Sequence, residues 1–205
     1  MTYDQIASKE TIDKTMAALK DNNFEPLFVG TKEEALNLIK SLIPAGASIQ
    51  NGSSRTLEQI GFVDYLKSKE HSWNNLHDAI LEEKDPGKQA MLRKQAVLSD
   101  YYLGSVHALS ETGEMVIASN SGSQLPHIAF TSPNIIFVVG AQKIVPTLVE
   151  GMKRLEEYVV PLEDENMKTK YGYGTMLCKE LLLRKENPAL GRKVRVVIVS
   201  EKLGF

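Results

Sequence analysis

Ile6, Ile12, Met16 and Leu19 recur at roughly helical spacing, which predicts an amphipathic helix over residues 3–22 that Asn22-Asn23 ends. "FEPLFVG" (24–30) reads as a short strand closed by Gly30. Thr31 then has the place of an N-cap, with Glu34 as its capping-box partner. The helix that follows runs to Leu42 and stops at Pro44 and Gly46. A short apolar piece, "ASIQ" (47–50), leads into "NGSSRTLEQIG". This β-α-β rhythm predicts an α/β layered fold with a mostly parallel sheet and an N-terminal helical segment.

The same patterning predicts a short helix over 62–69 and leaves the polar stretch 70–85 unassigned. Residues 85–104, with Pro86 near the start and Gly104 at the end, read as one long helix. Two β-type runs flank "ETG" in "SVHALSETGEMVIAS" (105–119), a hairpin signal in which Gly113 can take a positive φ. "NIIFVVG" (134–140) is continuously apolar, as in a strand buried on both faces. A helix is expected from about Pro146, then a charged and glycine-rich connector over 161–176. "TMLCKELLL" reads as an apolar helical run that would bury Cys178, and "KVRVVIVS" (193–200) as the final strand.

The 205 residues suit one domain, with helix 1–23 leading an α/β core over 24–205. Apolar residues make up 42% and charged residues 24%, so a core can form without cross-links. The net charge of −2 gives no basic bias toward nucleic acid or an anionic membrane. A single cysteine, Cys178, excludes an internal disulfide, an all-cysteine zinc site and an iron–sulfur cluster held by this chain. With no apolar signal core near residue 1 and no apolar run of about 18 residues, a cytoplasmic setting is expected.

Four segments carry candidate chemistry. The first is Asn51-Gly52-Ser53-Ser54-Arg55-Thr56, between a strand end and a helix start. Free N–H groups there favour anions, Gly52 permits close backbone approach, and Arg55 can grip a carboxylate or phosphate with two hydrogen bonds. A capped turn would use the same residue types. The second is the polar patch Ser119-Asn120-Ser121-Gly122-Ser123-Gln124 between two apolar runs, which composition alone reads as a connector. It has neither a Walker ending nor a dinucleotide fingerprint. The third is Glu111-Thr112-Gly113, where a carboxylate at a hairpin tip is either a nucleophile or base, or a solvated turn residue. The fourth is Gly140-Ala141-Gln142-Lys143, which places a lysine at the end of the buried strand, facing either an anion or solvent. The histidines at 71, 77, 107 and 127 lack metal-ligand spacing. His107 alternates with apolar residues and reads as structural, while His127 lies beside the polar patch.

The run "ASNSGSQLP…NIIFVVGAQKIVPTLVEGMKRLEEYVVPLEDENM" resembles the LUD-domain family, to which lactate utilisation protein C belongs. "NGSSRTLEQIG", "ALSETGEMVIAS" and "RVVIVSEKLGF" are similar to further elements of that family. The resemblance implies a fold like that of ribose-5-phosphate isomerases and CoA transferases, with the ligand site at strand ends and glycine-containing loops. On that basis Ser119, Ser121, Gly122, Ser123 and Gln124 line the site opposite Asn51–Thr56. Thr112, Gly113, Gly140, Gln142 and Lys143 are further ligand contacts, and Glu111 is the catalytic candidate. The family also implies a part in bacterial oxidation of L-lactate to pyruvate beside iron–sulfur partner proteins. Two function classes follow. One is an accessory subunit that binds a small anion and is a candidate homodimer. The other is an isomerase- or transferase-type enzyme acting on a sugar phosphate or acyl-CoA, with Glu111 as base or nucleophile. A purely structural scaffold is a third.

Overall fold

The computed structural model describes residues 2–205. Helix α1 (Lys9–Asp21) is capped by Ser8, whose Oγ accepts from Thr11 N at 3.2 Å, and buries Ile12, Thr15 and Leu19. It starts later than the spacing predicts, because residues before Ser8 are an irregular lead whose Tyr3 is buried. Strand β1 (Glu25–Val29) and helix α2 (Lys32–Leu42) follow, and the Thr31/Glu34 capping box forms. Next in order are β2 (Ser48–Asn51), α3 (Arg55–Gln59), α4 (Phe62–Ser68), β3 (Asn74–Asn75), α5 (Leu76–Glu82) and α6 (Pro86–Gln95). The second half holds β4 (Tyr101–Gly104), β5 (Ala108–Ser110), β6 (Met115–Ser119), β7 (Asn134–Gly140) and β8 (Ile144–Val145). It ends with α7 (Leu148–Arg154), α8 (Val160–Tyr171), β9 (Lys179–Leu183) and β10 (Lys193–Val199).

Six strands form one sheet in the order β1-β10-β7-β4-β2-β3, and every neighbouring pair is parallel. Parallel strands need crossover connections, which is why helices alternate with them in the first half of the chain. Side chains alternate across this sheet. Ile49, Leu103, Ile136, Val138 and Val197 pack on one face with Ile39, Leu57 and Phe62 of the helices. Tyr102, Ile135, Phe137, Val196 and Ile198 pack on the other face with α1 and with Leu109, Met115 and Ile117 of a second sheet. That sheet runs β8-β5-β6-β9, and its far face meets α7 and the wide turn after it through Ala108, Val116, Leu155 and Val159. The layered, mostly parallel α/β fold expected from the β-α-β rhythm is therefore present.

Three expectations are corrected. The helix over 85–104 ends at Gln95, and Tyr101–Gly104 is a central strand instead. Asp100 fixes the change by accepting from Ser48 N at 2.9 Å and Ser48 Oγ at 2.6 Å, which ties the chain beside β2. The charged part of 161–176 is helix α8, with Pro161 in its first turn and Gly172 at its end. No residue of α8 is fully buried, so its polarity reflects solvent exposure and not irregular backbone. Cys178 is exposed, because "KELLL" is an edge strand of the smaller sheet, not a buried helix. Among the described residues no helix is long and apolar enough to cross a membrane.

Candidate functional site

Parallel pairing puts the C-terminal ends of β2, β4 and β7 on one edge of the sheet, where α/β folds hold their ligands. Three predicted segments meet there. Gly52 follows β2 and donates its N–H to Leu103 O of β4 at 3.3 Å. A Cβ at Gly52 would stand 2.5 Å from the Tyr102 hydroxyl and 3.0 Å from Gln124 Oε1, so the first and second segments touch through a glycine. Gln124 is fixed by donating to Ala118 O at 2.8 Å, and Ser119 Oγ accepts from Gly122 N at 2.9 Å. Ser54 is the cap of α3, its Oγ accepting from Leu57 N at 3.3 Å. Asn51 is buried with Oδ1 unpartnered, although its amide donates to Gly52 O at 3.2 Å.

Lys143 reaches the same edge from the turn after β7 and is only 3% exposed. Its Nζ donates to Thr56 Oγ1, Ser105 Oγ and Val106 O, each at 3.1 Å. All three acceptors are neutral. Burial, and then the positive charge of Arg154, push Lys143 down from 10.5 to about 7. Arg154 is itself fully buried at the end of α7. Its guanidinium donates to the main-chain oxygens of His107, of Tyr3 at 3.3 Å and of Phe205 at 3.4 Å. Among the described residues, no aspartate or glutamate side chain pairs with either cation. His107 Nδ1 accepts from Ala118 N at 3.0 Å, so Nε2 carries the proton. Burial, then Lys143 and Arg154, push His107 down to about 3, and its ring is neutral at physiological pH.

The segment after β10 closes over this edge. Gln142, also buried, donates to Leu203 O at 2.8 Å and accepts from Leu203 N at 3.2 Å. Gly204, at φ +67°, is held by its N–H to Gln59 Oε1 at 2.5 Å. A side chain there would collide with Thr56 Oγ1 and reach within 3.0 Å of Lys143 Nζ, so only glycine leaves the ammonium its room.

Other predicted residues lie apart from this cluster. Arg55 pairs with Glu58 Oε2 at 2.9 Å, and Lys170 binds the same carboxylate at 3.2 and 3.3 Å, so Arg55 sits in a rim ion-pair network. Glu111 pairs with Lys14 of α1 at 2.7 Å, and Asn22 donates to Thr112 O at 2.9 Å. The turn Glu111-Thr112-Gly113 therefore packs on α1. Glu111 lines a separate groove of about 300 Å³ with Tyr3, Thr11, Val145 and Pro146. His127 is buried against the hydroxyls of Ser99 and Ser132, and burial pushes it down to about 4. Its ring stacks on Tyr102 at 4.7 Å, so it supports the floor from beneath. Ser105, Tyr102, Arg154 and the Leu203–Gly204 segment were not candidates in the sequence, and His107 read as structural. The one available signal was "GSVH", small and polar residues directly after a strand. Among the described residues no cluster of His, Cys, Asp and Glu could hold a metal ion.

No curated protein matches the chain. Its structure is similar to the crystal structure of a DUF162 family protein from Deinococcus radiodurans. The TM-score is 0.55 at 12% identity, over 95% of this chain and 98% of that one, a likeness of fold. A model of the LUD domain matches residues 12–180, which spans most of the sequence. The chain belongs to the LUD domain family, related to the lactate utilisation proteins.

Proposed function

We propose that this protein binds a small carboxylate or phosphate anion at the C-terminal edge of the six-stranded sheet, as an accessory component of lactate or related organic-acid utilisation. One observation carries the reading: Lys143 is a buried cation whose hydrogen bonds all go to neutral oxygens, with the Arg154 cation acting on it. A buried charge without a counter-charge is costly, and an anion entering beside it removes that cost. The Gly52 and Ser119–Gln124 loops meet at this same edge and carry the hydroxyls of Ser53, Ser121 and Ser123. Iron–sulfur proteins are the partners proposed for lactate oxidation, because the single cysteine cannot hold a cluster here.

The experiment is a thermal-shift and calorimetric panel of lactate, pyruvate, phosphate, ribose 5-phosphate and a CoA ester against wild type and Lys143→Met. A ligand that binds only the folded state raises the midpoint. At least one anion should stabilise wild type and fail to stabilise the variant. Equal shifts in both proteins, or no shift with any anion, would overturn the reading. Growth of a deletion strain on L-lactate weighs the pathway assignment separately.

A second reading, an enzyme of isomerase or transferase type, draws on Lys143 at about 7 beside the neutral His107. A group poised near the working pH can take and return a proton. Glu111, the residue the sequence offers for that chemistry, is engaged by Lys14 in the other groove. Glu111→Gln is therefore expected to leave anion binding at the sheet edge unchanged. Loss of binding in that variant would return Glu111 to the site.

A further inference from the structure

The segment from Lys170 to Lys179 forms the outer rim of the anion site and ties its two loops together. At one end Lys170 holds Glu58 of α3 at 3.2 and 3.3 Å, next to Arg55. At the other end Asn120 donates to Met176 O at 3.3 Å, and Lys179 donates to Asn120 O at 3.1 Å. Between these ties the chain is built, not slack. Gly172 closes α8 with φ +79° and donates to Lys168 O at 3.0 Å, while Asp164 accepts from Thr175 N at 2.8 Å and pairs with Lys168 at 2.5 Å. The side chains on this stretch are large and open. Tyr171, Tyr173 and Met176 are 58%, 62% and 68% exposed, and the two tyrosine rings stack at 5.9 Å with 28° between their planes.

Exposed aromatic rings on a segment tied both to α3, which carries the Thr56 that Lys143 holds, and to the Ser119–Gln124 loop are the composition of a stacking platform. Such rings gain energy from any planar π-face laid on them, while the neighbouring charge selects an anion. Lys179, whose ammonium donates to the neutral Asn120 O, adds a positive charge at the far end of the stretch, whereas Lys168 and Lys170 are paired with Asp164 and Glu58. We propose that the site takes an anion that carries a planar heteroaromatic ring, a nucleotide in chemical class. The phosphate turns toward Lys143 and the base packs on the Tyr171/Tyr173 rim. This rests on the anion reading above and names its ligand class.

The test is calorimetry at pH 6.5 with adenosine 5′-monophosphate, ribose 5-phosphate and inorganic phosphate. The proteins are wild type, a Tyr171→Ala/Tyr173→Ala double variant, its Phe/Phe counterpart and Lys143→Met. Both tyrosines are exposed, so the double variants fold. Wild type should bind the nucleotide roughly tenfold or more tighter than ribose 5-phosphate, the increment of one stacked base. The Ala/Ala variant should lose that preference and keep its affinity for ribose 5-phosphate, the Phe/Phe variant should keep the preference, and Lys143→Met should weaken both ligands. Equal affinity for nucleotide and ribose 5-phosphate in wild type overturns the inference, leaves the anion reading standing, and makes the rim a protein-facing surface. A preference for the nucleotide that survives Ala/Ala also overturns it. Absence of binding by all three probes overturns this inference, and the lactate and pyruvate arms of the panel above then decide the anion reading separately.

Discussion

Replacing Lys143 with methionine should stabilise the folded protein while removing the anion affinity proposed for it. Met is an unbranched apolar side chain of similar length, so the change deletes the charge with little change in packing. The fall of Lys143 from 10.5 to about 7 corresponds to ~5 kcal/mol at about 1.4 kcal/mol per pH unit. At pH 7 the folded amine is half protonated, so ~4 kcal/mol of that penalty is felt there. Against it stand the acceptors that lose a donor. Ser105 Oγ still donates to Val138 O at 2.6 Å and Thr56 Oγ1 to Leu203 O at 3.4 Å, which leaves Val106 O as the main loss, ~1–3 kcal/mol. The net expectation is a gain of about 1–3 kcal/mol at pH 7. The folded value lies below the unfolded one, so between them the unfolded chain binds more protons and wild-type stability rises with pH. That rise is ~2 kcal/mol from pH 7 to 9, and the variant lacks it. Its advantage should therefore shrink by that amount at pH 9. Urea unfolding followed by the fluorescence of Trp73, the single and buried tryptophan, measures both. Groups common to the two proteins cancel in the difference. A variant less stable than wild type at pH 7, or a difference that does not change between pH 7 and 9, would refute the argument that this cation is uncompensated.

Two further outcomes follow from the same geometry. Affinity for sulfate, whose charge is constant over this range, should be greatest below pH 7 and fall as pH rises through about 7, because the ammonium is then lost. Calorimetry across pH 6–8 checks this, and a flat profile would show that Lys143 does not face the anion. Gly52→Ala should cost about 1–3 kcal/mol by forcing a methyl against the Tyr102 hydroxyl and Gln124, and a thermal melt should show a midpoint several degrees lower. An unchanged midpoint would mean that the loop is free to move off the floor.

The fold was legible wherever local chemistry agreed with tertiary packing. The Thr31/Glu34 capping box, the continuously apolar 134–140 strand and the β-α-β alternation all appear as read. Reading failed where packing decides between two locally plausible states. Tyr101–Gly104 continues a helical pattern in sequence, yet it lies between β2 and β7, where paired neighbours favour a strand. Helix α8 looks like a connector because its exposed faces carry charge all round. Within the candidate site, the Asn51–Thr56 and Ser119–Gln124 loops and Lys143 could be picked out because strand ends and small polar residues mark them. Arg154 could not, because nothing local distinguishes a fully buried arginine from the exposed lysine beside it. Its partners come from residues 3, 107 and 205, which no window of the sequence contains together.

Strand β10 is the last strand in the sequence but an inner one in the sheet, wedged between β1 and β7. During synthesis β1 and β7 therefore keep open edges until β10 has emerged to fill the gap between them. During that interval two unpaired strand edges compete for any other extended chain, the situation that favours aggregation and chaperone capture. Leu203 and Gly204, which pack against Gln142 and Lys143 at the candidate site, follow soon after that strand. A truncated or stalled chain is thus left with exposed edges and with Lys143 uncovered, so the same few residues close both the sheet and the candidate site.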